Sequence, residues 1–155
     1  MIGRRMWGAV AIVAVSSAGL PQALQAQSAE SEYSVRIERA ELLADHALLL
    51  VKQQNDYVAA ASTMREVALL RGEDQGAVEA LVQAGYFSYY AGRPLNAVSA
   101  LKSAGETALA IGDLEAAADA FWQAAWVAGR EGEIPTALEL VARSRLAAGA
   151  SAVGS

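Results

Sequence analysis

Apolar and small residues recur along the chain at steps of three and four positions. Between positions 94 and 110 this spacing places Ala97, Leu101, Ala104, Gly105 and Ala108 on one stripe. A helix with 3.6 residues per turn brings such positions to one side, where they pack against a neighbour. After residue 26, no stretch combines period-two alternation with β-branched residues. The pattern therefore predicts an all-α protein.

Glycine, asparagine, aspartate and proline interrupt the helical pattern at regular intervals. Glycine can end a helix, aspartate can accept hydrogen bonds from the first free amides of the next, and proline fits the first helical position. Connections this short make neighbouring helices antiparallel. The breaks predict six helices, over residues 30–53, 56–70, 74–91, 94–110, 114–129 and 135–148.

A repeat of 20 residues relates the blocks 81–100, 101–120 and 121–140. A fixed period of this kind indicates an array of stacked units, which more often provides a binding surface than a catalytic pocket. The agreeing columns are Leu81, Leu101 and Phe121; Ala84, Ala104 and Ala124; Gly85, Gly105 and Ala125; Gly92, Gly112 and Gly132; and Ala97, Ala117 and Ala137.

The repeated positions resemble tetratricopeptide (TPR) repeats. The order and spacing of that family are followed by Leu101, Ala104-Gly105, Gly112-Asp113-Leu114, Ala117, Phe121 and Ala124. The resemblance implies a right-handed α-α solenoid of three TPR-like helical hairpins over residues 27–148, with a concave surface that binds a protein or peptide. The TPR family repeats every ~34 residues, whereas two 20-residue blocks together are closer in length to the longer HEAT-like unit. The repeat length therefore leaves the pitch of the superhelix open.

The aromatic residues are concentrated on the third and fifth predicted helices. A shift of two blocks superimposes Tyr86 on Trp126 and Val82 on Trp122. In proteins that resemble this family, this register lines the groove. The residues predicted to line it are Asp45, Leu49, Val82, Tyr86, Tyr89, Tyr90, Trp122, Trp126 and Arg130. The alternative is that these aromatic side chains fill space in the core, as aromatics at helical spacing often do.

The two ends of the chain are predicted to differ from the repeats. Residues 1–26 have the pattern of a secretory signal peptide, with Arg4 and Arg5 before an apolar stretch and Ala26 at the expected cleavage point. An uncleaved anchor is the alternative. Residues 149–155 are small and polar, so they are expected to form a flexible tail.

Composition and charge exclude several kinds of chemistry. The chain has no cysteine, which excludes disulfides, thiolate metal sites and a cysteine nucleophile. Loss of Arg4 and Arg5 with the signal would leave ten basic residues against 17 acidic ones, which disfavours nucleic-acid binding. His46 is the single histidine and is predicted to be structural, not a metal ligand. Neither a cofactor nor an enzymatic activity is expected.

Together these patterns favour a non-enzymatic adaptor that is exported to the periplasm or secreted from a bacterium and binds a protein or peptide partner. No stable membrane span is expected after signal cleavage. Two alternatives remain: a small carrier that holds an apolar ligand between hairpins, and a structural subunit that associates with itself through exposed aromatic side chains.

Overall fold

The computed structural model describes residues 22–154, which form six α-helices and no strand. The prediction of an all-α protein with six helices is confirmed within this range. Residues 1–21, which carry most of the predicted signal peptide, lie outside the described residues. The helices are α1 (Gln22–Gln54), α2 (Tyr57–Arg71), α3 (Gln75–Tyr90), α4 (Pro94–Ala110), α5 (Leu114–Arg130) and α6 (Ile134–Gly154).

The predicted turns lie where glycine and aspartate indicated them. Gly112, for example, has a φ of 80°, in the left-handed region that other residues rarely adopt. The next residue, Asp113, accepts a hydrogen bond from the amide of Ala116 at 3.0 Å and so caps α5. Asp56 and Asp74 cap α2 and α3 in the same way.

Each helix packs against the helices that precede and follow it in the chain. Buried side chains form two clusters along this row. One lies among α1, α2 and α3, reaches Ala100 of α4, and includes Met64 and Phe87. The other extends from α3 to α6 and includes Leu101, Phe121 and Leu140. Leu81, on α3, packs against both clusters and joins them.

Two glycines allow large side chains to reach the backbone of a neighbouring helix. A Cβ atom added to Gly85 would lie 2.6 Å from Cγ of Leu101, and one added to Gly105 would lie 2.6 Å from Cε1 of Phe121. Both distances are shorter than any van der Waals contact. The glycine at the fifth position of one 20-residue block therefore packs against the residue at the first position of the next block.

The two terminal helices are longer than predicted. The start of α1 is Gln22 rather than residue 30, because residues 22–29 are mostly alanine, glutamine and leucine and contain no helix breaker. At the other end, α6 continues to Gly154, through the residues predicted to form a flexible tail. Within residues 22–154, no helix is both long and apolar enough to cross a membrane.

We expect Gly105→Ala to lower the free energy of unfolding by about 1–3 kcal/mol, because the new methyl group overlaps the ring of Phe121. Denaturant unfolding followed by circular dichroism measures this change. The matched control is Gly149→Ala on α6, where a Cβ atom meets nothing within 4 Å. That substitution should raise stability by up to about 1 kcal/mol, through helix propensity alone. Equal effects at the two positions would contradict close packing at Gly105.

Candidate functional site

Five aromatic residues predicted for the groove surround one open cavity between α3 and α5. The cavity has a volume of about 400 Å³ and a mainly apolar lining. Helix α3 contributes one wall, helix α5 the other, and Leu101 of α4 lies between them. We call this site the aromatic cavity; its lining residues are Gly85, Tyr86, Tyr89, Tyr90, Leu101, Trp122, Gln123, Trp126 and Val127.

The two tryptophans of the cavity are exposed instead of filling the core. Trp122 is 57% exposed and Trp126 is 50% exposed. By contrast, Phe87 and Phe121 on the same two helices are buried. The two phenylalanines therefore belong to the core, whereas at least half of the surface of each tryptophan side chain lies outside it.

Ring contacts hold the walls of the cavity in place. The rings of Tyr89 on α3 and Trp126 on α5 have centroids 5.8 Å apart, within the range of favourable aromatic pairs. Tyr89 also meets Tyr90 edge to face, and Tyr90 lies against Tyr57 of α2. The guanidinium of Arg130 stands over the Trp126 ring at 5.0 Å. The side chains are thus positioned by one another before any partner arrives.

Gly85 and Leu101 explain why the cavity is deep enough to admit a side chain. Gly85 has no side chain to project into the space, and Leu101 fits against its backbone. Leu101 is only 2% exposed, so it belongs to the core as well as to the cavity floor. Close packing of α3 on α4 therefore shapes the bottom of the site.

A second depression continues the first toward the N-terminal ends of α3 and α5. Its volume is about 440 Å³, and Gln123 belongs to both depressions. Val82, which the sequence placed in the groove, lines this second depression together with the carboxylates of Glu79 and Asp119. We call it the acidic depression; its other lining residues are Gln75, Val78, Gln83, Ala116 and Ala120. The two depressions together form the α3–α5 groove.

The structure does not bring every predicted groove residue to this site. Leu49 and Asp45 are exposed on α1 and line neither depression. Arg130 also lines neither depression, although it stands over the ring of Trp126. The described part of the chain contains no group of three or more histidine, aspartate or glutamate side chains able to hold a metal ion. His46 is an exposed residue on α1.

Sequence reasoning did not identify Gln123, Glu79 or Asp119 as site residues. Gln123 stands one position after Trp122, and its side chain borders both depressions. Glu79 and Asp119 are equivalent under the two-block shift that related Tyr86 to Trp126. Applying that shift to the charged residues as well as to the aromatic ones would have found the pair.

Comparisons of the chain with models of known families, with curated proteins and with solved structures found no match.

We expect the fluorescence of Trp122 and Trp126 to be quenched efficiently by acrylamide in the free protein, because both side chains are at least half exposed. The measurement uses a Trp7→Phe background, so that these two residues provide the whole signal. Emission that resists quenching until the protein is denatured would contradict an open cavity.

Proposed function

We propose that this protein is an exported adaptor that binds a peptide or a segment of another protein along the α3–α5 groove. One observation carries the proposal: five aromatic side chains converge on an open cavity of about 400 Å³, and both of its tryptophans are exposed. Tyrosine and tryptophan contribute most to the binding energy of protein interfaces. Exposed aromatic side chains that lie together on a protein surface often serve a binding role.

The arrangement of the helices supports a TPR-like solenoid as the scaffold for this groove. Short connections make neighbouring helices antiparallel, so α3 and α5 run in the same direction. Their N-terminal halves line the acidic depression, and their C-terminal halves line the aromatic cavity. Parallel alternate helices with one common face are what stacked helical hairpins produce, and such arrays form extended binding surfaces.

Export is proposed from the sequence pattern of residues 1–26 and from the structure that follows it. From Leu24 to Arg36, every residue of α1 is exposed, and the first buried residue is Ala40. Cleavage after Ala26 would therefore remove no described side chain from the core. Processing of the N-terminus and folding of the repeat domain are compatible.

A carrier of a small apolar ligand is the second candidate, and the size of the aromatic cavity favours it. Ligand pockets of proteins commonly enclose about 300–1,000 Å³ and have a mainly apolar lining. The aromatic cavity meets both conditions, but it opens into the acidic depression, which extends the site beyond a compact pocket. Native mass spectrometry after mild purification distinguishes the two, because a carrier would retain a small molecule of defined mass.

We expect Trp126→Ala combined with Tyr86→Ala to weaken peptide binding by about thirtyfold or more, because both substitutions remove aromatic surface from the cavity. Peptide ligands are obtained by selecting a phage-displayed library of random 16-residue peptides on the wild-type protein. Their dissociation constants are then measured by fluorescence polarisation on wild type and variant.

The matched control is Leu138→Ala combined with Leu146→Ala, which truncates two exposed residues of α6 outside the groove. This variant should bind the selected peptides as wild type does. If the aromatic variant binds them equally well, or if only the α6 variant loses binding, the groove is not the binding site. Unfolding curves of both variants verify that each one folds.

We expect the mature protein to begin at Gln27 in an envelope or extracellular fraction, as determined by intact mass. The shortened chain should retain its free energy of unfolding within about 0.5 kcal/mol, because its first residues are exposed on α1. A full-length protein that stays attached to membranes would support the uncleaved anchor instead.

A further inference from the structure

The α3–α5 groove has a direction, because carboxylates line only one of its two depressions. At the N-terminal ends of the helices, Glu79 and Asp119 are exposed on the walls of the acidic depression. Beyond the aromatic cavity, at the C-terminal end of α5, Arg130 stands over Trp126. A segment that lies along the groove therefore meets carboxylates first, aromatic rings next and a guanidinium last.

The two carboxylates of the acidic depression have no cationic partner among residues 22–154. Some carboxylates elsewhere on the surface do: Glu66 pairs with Arg39 at 2.7 Å, and Glu106 pairs with Arg143 at 2.9 Å. Glu79 and Asp119 take part in no such ion pair within the described residues. They are available to a positively charged group from outside.

Gln123 provides a second polar feature, at the junction of the two depressions. Its Oε1 atom is buried and accepts no hydrogen bond from the described residues. A buried acceptor without a donor is costly. Because Gln123 lines both depressions, an occupant that passes from one depression to the other runs alongside this residue.

We propose that the occupant of the groove is a polypeptide segment with two linked features: an apolar or aromatic anchor in the aromatic cavity, and a lysine or arginine that faces Glu79 and Asp119. This inference depends on the proposed peptide-binding function and names the chemistry of its partner. Charge at the rim of an interface contributes mainly to specificity and orientation. The carboxylates consequently select the direction in which the segment lies.

The spacing of the two features follows from the helix that carries them. Asp119 and Trp126 are seven residues apart on α5, which corresponds to about 10 Å along the axis at 1.5 Å per residue. An extended segment covers that distance in about three residues, and a helical segment in about seven. The basic residue of the partner is therefore about three residues from its anchor if the segment is extended, and about seven residues from it if the segment is helical.

The experiment sequences the 16-residue peptides that phage selection recovers on wild-type protein, on Glu79→Gln/Asp119→Asn and on Glu38→Gln/Asp45→Asn. The last variant is the matched control, because it removes the same charge from exposed positions of α1. Wild type and control should enrich lysine or arginine at one of the two spacings from an apolar anchor. For those peptides, affinity should fall about two- to fivefold for each carboxylate neutralised in the groove, and less at high salt.

A reversed variant, Glu79→Lys/Asp119→Lys, should instead enrich aspartate or glutamate at the same spacing. Peptides that depend on Trp126 and Tyr86 but show no charge preference would overturn this inference and leave the proposed function intact. Failure to recover any peptide that depends on those aromatic residues would overturn the proposed function itself. A homodimer that light scattering detects in wild type and not in Trp126→Ala would show that a second copy occupies the groove, which also overturns the inference.

Discussion

The approach of large side chains to glycine determines the spacing of the central helices. Leu101 lies against Gly85 and Phe121 lies against Gly105. Because neither glycine has a side chain, α3 packs closely on α4, and α4 packs closely on α5. In the third block the glycine is replaced by Ala125, and the first residue of the following block is Val141, which is smaller than leucine or phenylalanine. Both residues of the pair therefore differ between blocks, while the combined volume of the two side chains changes little.

This packing explains how a chain so rich in alanine builds a defined surface groove. Alanine and glycine fill the contacts between helices, and the interior requires few large side chains. Most of the aromatic residues are then free to lie where alternate helices meet at the surface. The two tryptophans are there, and Tyr89 connects α3 to α5 across the intervening helix by its contact with Trp126.

The sequence predicted the helices and their turns because these depend on local chemistry. Gly112 and Asp113 end one helix and begin the next through their own backbone conformation and hydrogen bonds. The ends of α1 and α6 were predicted less well, since alanine-rich segments without a breaker give no local signal for where a helix stops. The aromatic part of the groove followed from the two-block shift. Whether the two tryptophans are exposed or buried did not, because exposure depends on which face each neighbouring helix covers.

The period of the repeat has a consequence for how such a chain can lengthen. Each 20-residue block supplies one helix and one turn, and the groove is built from every second helix. Duplication of a single block would reverse the direction of all helices that follow it and transfer their aromatic residues to the opposite side of the array. Duplication of two consecutive blocks would add one further wall in register. Growth by even numbers of blocks is therefore the route by which this architecture can extend the α3–α5 groove while retaining the part that already exists.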